Sequence, residues 1–267
     1  IGSVDPVKVG EGYTMKGTDG TAAVTTLQNY VFTGKPNNGT ILLNIALTQS
    51  YLVGNPYASA LNADEFIKDN IKDGGNAASN IINGALYFWN HYGGQTHFTS
   101  GYVGGYATYT LMGGVVAIAN DPLNINDGST GTKVPKKFIP VGQGFFIGTN
   151  LATALTTNNP NLSSAITGGT VTFKNSQRAF KTESPANSVF LRSTMNVANN
   201  QNDDRRPKIR LKYNSPSGLY RQLLVGVDNN STTLFDIGYD APMIDVNAND
   251  MYWEVSNAKF VIQAIPD

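Results

Sequence analysis

The chain has no cysteine. That excludes disulfide staples, thiolate nucleophiles and cysteine-based metal sites together. Histidine is nearly missing as well: His91 and His97 are the 2 it has. Imidazole acid–base or metal chemistry therefore has few places to sit. Charge is sparse. Asp, Glu, Lys and Arg make up 14% of the 267 residues, against roughly a quarter in ordinary domains. The 19 basic and 19 acidic residues cancel to a net charge of zero. A neutral chain lacks the counterion-release term that drives binding to phosphate backbones, so nucleic acid is not an expected partner. The attraction to an anionic membrane surface is missing for the same reason. No apolar run nears the ~20 residues that a bilayer-spanning helix needs, so direct membrane insertion is not expected.

Asn, Gly, Thr and Ser take the place of the charges. Asn and Gly tolerate positive φ and mark tight turns. Thr, Tyr, Phe, Val and Ile favour strands. Hydrophobic content of 40% and aromatic content of 10% support a packed core. The length suits one large β domain or two ordinary ones. Ile1 is no initiator methionine, and the expectation is a mature fragment or excised domain of something longer.

A phrase recurs: "VGEGYTMKGT" from Val9 and "VGQGFFIGT" from Val141. It has glycines two apart and then an aromatic, but no acid, base or nucleophile in a useful arrangement. Gly10-x-Gly12 and Gly142-x-Gly144 lack the third glycine, the helix and the downstream acid of a dinucleotide site. The phrase reads as a bend or bulge at a strand. Two related β halves would explain the recurrence, and so would chance among glycine-bracketed strands. The loop "NDPLNINDGSTGTKVPKK" (Asn120 to Lys137) is the natural midpoint. The expected halves are 1–130, carrying a short helix, and 131–267, or one continuous domain.

Local signals fill in the elements. "PNNGT" (Pro36 to Thr40) predicts a hairpin with a type I′ turn. "SYLVGNPY" predicts a short strand ended by Gly54, Asn55 and Pro56. "NADEFIKDNIKDGG" predicts a helix near 63–72, with Asn62 as cap and Glu65 completing a capping box. Ala63, Phe66, Ile67 and Ile71 form its apolar face, and Gly74-Gly75 its stop. "GALYFWNHYGG" predicts a strand, and "GYATYTLMGGVVAIA" a strand pair turning at Gly113-Gly114. "KIRLKY" alternates strictly, with Ile209, Leu211 and Tyr213 on one face and Lys208, Arg210 and Lys212 on the other. Such alternation predicts a half-solvated antiparallel strand.

Candidate sites are few. Tyr87, Phe88, Trp89, His91, Tyr92, Tyr102, Tyr106 and Tyr109 form the densest aromatic zone. Sugar rings stack on flat aromatic faces, so Trp89, Tyr87, His91 and Tyr92 are the candidate glycan platform. The competing reading is plain strand alternation, half core and half surface. His91 and His97 could hold a metal only with a carboxylate that the segment between them lacks. No G-x-S-x-G elbow appears. Loop oxygens cluster at "NDPLNINDG" and at "DNNSTTLFD" (Asp228 to Asp236). Asp121 and Asp127 are the candidate calcium ligands; loop Asn and Asp also commonly bond their own backbone. Nothing in the sequence selects a pair among Asp64, Glu65, Asp236, Asp240, Asp245 and Glu254 for glycoside chemistry.

The phrases "YVFTGKPNNG", "YLVGNPYASALNADEFI", "LYFWNHY", "GGYATYTLMGG", "IPVGQGFFIGT", "VTFKNSQRAF", "KIRLKY" and "RQLLVGVDNNSTTLFDIGYDA" are together similar to a region of large secreted surface proteins of Bacteroidota, especially flavobacteria. In that group such a region lies upstream of a C-terminal type IX secretion sorting domain, and the parents are long and adhesin-like. The similarity runs from Val9 to about Ile265. It implies export across the outer membrane to the cell surface, and a β-rich module. It implies no catalytic residue. This chain ends at Asp267 without the sorting domain, which leaves the anchoring route open.

The expected fold is all-β: antiparallel sheets packed face to face, sandwich- or jelly-roll-like, with one short helix. The expected function is a non-catalytic extracellular structural or adhesive module of a larger surface protein. Its partners would be other domains of that protein, neighbouring surface proteins, or glycans. It would need no cofactor, or calcium alone. The alternative is a carbohydrate-binding module using the aromatic platform at 87–109. A polysaccharide-cleaving enzyme ranks third.

Overall fold

A computed structural model describes residues 7–14, 31–47, 50–93, 103–118, 133–149, 166–181, 204–216 and 218–267. Within them the protein is all-β with a single α-helix. The first strands are β1 (Ile41–Ile45), β2 (Ser50–Gly54) and β3 (Ala60–Asn62), followed by α1 (Ala63–Asn70). Then come β4 (Leu86–Gly93), β5 (Val103–Thr110), β6 (Gly113–Val115), β7 (Phe138–Ile139), β8 (Gly144–Gly148), β9 (Gly169–Phe173) and β10 (Arg178–Ala179). The last are β11 (Lys208–Asn214), β12 (Tyr220–Val227), β13 (Ala241–Pro242), β14 (Trp253–Val255) and β15 (Ala258–Ile265).

Four sheets result. One runs β2-β8-β4-β5-β6, one β10-β3-β7, one β1-β9, and one β11-β12-β15-β13 with β14 also on β15. Pairing is antiparallel except between β12 and β15, which run parallel. The first three sheets interleave segments from both sides of residue 130. Ile41 lies opposite Phe173, Leu61 opposite both Ile139 and Arg178, and Leu52 opposite Phe146.

The recurring phrase has a structural meaning. Glu11 N donates to Lys8 O at 2.9 Å, and Gln143 N donates to Pro140 O at 3.3 Å. Each turn carries a glycine at its third position, Gly10 with φ +90° and Gly142 with φ +72°. That is type II geometry, where glycine alone avoids strain. Both phrases then run beside the same strand. Gly12 N bonds Leu52 O at 2.9 Å on one edge of β2, while β8 ladders along the other.

Helix α1 starts where its cap predicts. Asn62 is extended, and its Oδ1 accepts from Asp64 N at 3.1 Å and Glu65 N at 3.4 Å. Ala63, Phe66, Ile67 and Ile71 are all fully buried. The helix ends at Asn70, short of the predicted Gly74-Gly75 stop. The fully buried Asn70 amide explains this. Its Nδ2 donates to Thr172 O at 3.0 Å, and its Oδ1 accepts from Thr172 N at 2.7 Å. The side chain thus acts as a ladder residue on the edge of β9, and Ile71 leaves the helix extended.

Phe66 packs against Phe145 and Phe173 at ring-centroid distances of 5.5 and 5.0 Å, and Phe145 in turn against Phe88 at 5.5 Å. Phe235 and Phe260, 5.5 Å apart, continue the same core into the C-terminal sheet. The junction is a backbone-to-backbone approach at Gly84 and Gly238. A Cβ on Gly84 would lie 2.3 Å from Gly238 Cα. Gly238 N donates to Asn83 O at 3.2 Å, and its carbonyl accepts from Leu111 N at 2.9 Å.

Two local expectations are corrected. "PNNGT" forms no hairpin into β1, which pairs with β9 instead. Its polar groups reach distant partners: Asn37 Nδ2 to Pro56 O at 2.8 Å, Gly39 N to Asn175 Oδ1 at 3.1 Å, and Tyr57 OH to Gly39 O at 2.7 Å. A two-residue turn with both φ positive closes β14–β15 instead, at Ser256 (φ 50°) and Asn257 (φ 62°). The β5–β6 turn falls at Leu111-Met112, and Gly113 opens β6.

Candidate functional site

Strand alternation sorts the aromatic zone into two faces. Leu86, Phe88, Ala107 and Tyr109 point into the core. Tyr109 OH donates to Asp64 Oδ1 at 2.8 Å, near the N-terminus of α1. Burial, then the Asp64 charge, pushes that phenol well up. The opposite face carries Tyr87, Trp89 and His91 from β4, with Tyr106 opposite Trp89 and Phe146 opposite Tyr87.

Trp89, Tyr106 and Phe146 make an edge-to-face row. Trp89 and Tyr106 centroids are 5.2 Å apart at 65°, and Tyr106 and Phe146 are 5.6 Å apart at 89°. The Trp89 indole lies directly on Gly104. A Cβ there would meet Cζ2 at 2.4 Å. Glycine thus lets the ring lie against the sheet, and 41% of Trp89 remains exposed.

Tyr87 does not share that exposure. Its ring is buried, and its OH donates to Pro242 O at 3.4 Å. The end of β13 covers that part of the face, so Tyr87 offers no stacking surface and the platform assignment is corrected there. His91 is half-buried opposite Gly104. Tyr92 belongs to β4 by its backbone. His97 and Tyr102 lie outside the described residues. The sequence reading singled out Trp89 but not Phe146, which enters only through the β4–β8 pairing.

Asp121 and Asp127 also lie outside the described residues. Among the described residues no group of three or more His, Asp or Glu is placed to hold a metal. The second oxygen-rich loop turns inward on itself. Asp228 Oδ1 accepts from Asn230 N at 2.8 Å, and Asp236 Oδ2 accepts from Thr232 N at 2.6 Å. Between this loop and the end of α1 lies a polar cleft of about 420 Å³, lined in part by Lys72, Asp73, Asn230, Thr232, Asp236 and Tyr239. Burial, then the Asp228 charge, raises the Tyr239 phenol.

Other ionisable groups, buried or half-buried, tie loops and turns to strands. Arg221 on β12 donates from Nε and Nη2 to Asp250 at 2.9 and 2.6 Å, and from Nη1 to Asp245 Oδ1 at 2.9 Å. Arg206 bonds Asp204, Asp228 and the Leu111 carbonyl. Asp240, fully buried, accepts from Ala264 N and Asp236 N, each at 2.7 Å. Tyr51 donates to Glu11, tying the first phrase to β2. That bond, followed by burial, pushes the Tyr51 phenol up to about 12.

No curated protein and no solved structure matches the chain. One family model, described as a domain of unknown function, matches residues 2–266. With nearly the whole length covered, the chain belongs to that family, DUF8693.

Proposed function

We propose that the chain is a non-catalytic extracellular module with a structural or adhesive role in a larger bacterial cell-surface protein. The observation that carries this reading is how the buried and half-buried ionisable groups are used. Arg206, Arg221, Asp240 and Asp250 are each held by partners on other segments. Groups fixed this way cross-brace sheets; a general acid or base must instead face a reacting atom. The similarity to type IX-secreted surface proteins supplies the expected location. Beads coated with the purified chain should adhere to a surface or to partner cells. The same preparation should release no reducing sugar from a polysaccharide panel. Sugar release that disappears in Asp236→Asn would overturn the reading.

A second reading is favoured by one observation, the Trp89–Tyr106–Phe146 row with its indole lying against the sheet. A flat, half-exposed indole suits the apolar face of a pyranose ring. On a glycan array, wild-type chain should be retained and Trp89→Ala lost, with both melting alike. Equal retention of the two would remove this reading.

A further inference from the structure

Strand β11 is built inside out. It ends its sheet and pairs only with β12 among the described residues. At seven residues it is the longest of the described edge strands. Apolar side chains on an edge strand ordinarily turn toward the core. Here Ile209 is 61% exposed and Leu211 38%. The cationic set points the other way, across β6. Lys208 Nζ donates to the Met112 carbonyl and to Asp204, and Arg210 Nη1 to the Gly114 carbonyl at 2.6 Å. Ile209 and Leu211 lie opposite Val225 and Leu223, and Leu223 is fully buried. The layer that covers β12 therefore stops short of β11. By contrast, the outer edge of β2 is capped by the Gly10–Gly12 segment.

An open edge with exposed alternate apolar residues is a template for another strand. The charge pattern decides which. Suppose a second copy pairs antiparallel with Leu211 at the centre. Arg210 then lies opposite Lys212. With Arg210 at the centre, it opposes its own copy and Lys208 opposes Lys212. Apolar-on-apolar registers thus set cation against cation, which destabilises a ladder and guards against self-pairing. Lys208 already has Asp204, so a strand with carboxylates facing Arg210 and Lys212 is favoured instead. We propose that β11 is a docking edge for an extended segment of another polypeptide that alternates apolar and acidic residues.

This rests on reading the chain as a module that meets other polypeptides, and its test is separable from that reading. The probes are two capped heptapeptides, Thr-Glu-Val-Glu-Val-Glu-Thr and its counterpart with lysine for glutamate. Hydrogen exchange of the whole chain should show slowed β11 amides with the acidic peptide, and calorimetry should give at least about tenfold tighter binding than for the basic one. In Arg210→Glu with Lys212→Glu the preference should invert. Hydrogen exchange on the unsubstituted chain stands alone if that variant fails to fold. Equal affinity for both peptides, no protection of β11, or a concentration-dependent dimer that protects β11 would each overturn the proposal. If cell attachment survives such a result, only the docking edge falls and the adhesive reading stands.

Discussion

Replacing Arg221 with methionine tests the claim that charges here are braces. The Arg221 side chain is 4% exposed and that of Asp250 1%. Methionine keeps the bulk but strips three bonds to carboxylates and a fourth, at 2.6 Å, to the Asp245 carbonyl. Asp250 is left as a buried anion without its cation. Breaking a buried pair from one side costs about 3–5 kcal/mol. For a chain of this size that lowers the melting temperature by roughly 6–20 °C. Adding Asp250→Asn should return part of the loss, since it removes the stranded charge, and a double-mutant cycle by calorimetry or urea melts reads that coupling. Acid supplies a second check. Burial alone would raise the Asp250 carboxyl, but Arg221 outweighs it and holds it below its ordinary 3.8. The stability from this pair is therefore complete above that pH and is lost as pH falls through the lowered value. Asp245 runs the other way, because burial lifts its carboxyl against the pull of Arg221; the acid-side loss that is present in the wild type and missing in Arg221→Met thus reports Asp250, apart from the lowered carboxyls of Asp204 and Glu11. A cost under about 1 kcal/mol, the range of exposed pairs, or strict additivity with Asp250→Asn, would refute the argument.

Three further outcomes follow from single contacts. Asn62→Ala removes the side-chain acceptor of two backbone amides and should cost about 1 kcal/mol in a chemical melt. Gly84→Ala and Gly142→Ala share the left-handed penalty of roughly 1–2 kcal/mol. Only Gly84 adds a clash, at 2.3 Å with backbone, while nothing lies within 4 Å of Gly142; thermal melts should therefore rank Gly84→Ala well below Gly142→Ala. Asp240→Asn swaps one acceptor for a donor facing either Asp236 N or Ala264 N, and should cost about 1–3 kcal/mol by urea denaturation.

Much of the fold class is legible in the sequence, and the departures share one cause. Local signals hold where neighbours in sequence are partners in space. Asn62 caps its own helix, and Gly54 ends β2. They fail where a distant segment offers more. Asn70 gives up the last helical turn to pair with Thr172. Asn37 to Gly39 trade a hairpin for bonds to Pro56 and Asn175. The candidate site follows the same rule. Trp89 stands out as the indole of the densest aromatic segment, but its neighbours Tyr106 and Phe146 depend on strand order. Burial of Tyr87 depends on Pro242, which no local pattern connects to it.

The interleaving of the sheets sets an order of assembly. Among the described residues Leu61 finds strand partners only in Ile139 and Arg178, and Ile41 only in Phe173. Ladders spanning such distances close slowly. The β11–β12 and β14–β15 hairpins close over short loops. Maturation should thus proceed from the tail toward the head, with amides at Leu223 and Val255 protected before Val171 in pulse-labelled refolding. A polypeptide emerging head first would then travel as slack cord, its earliest strands waiting for the last-arriving ones to fasten them.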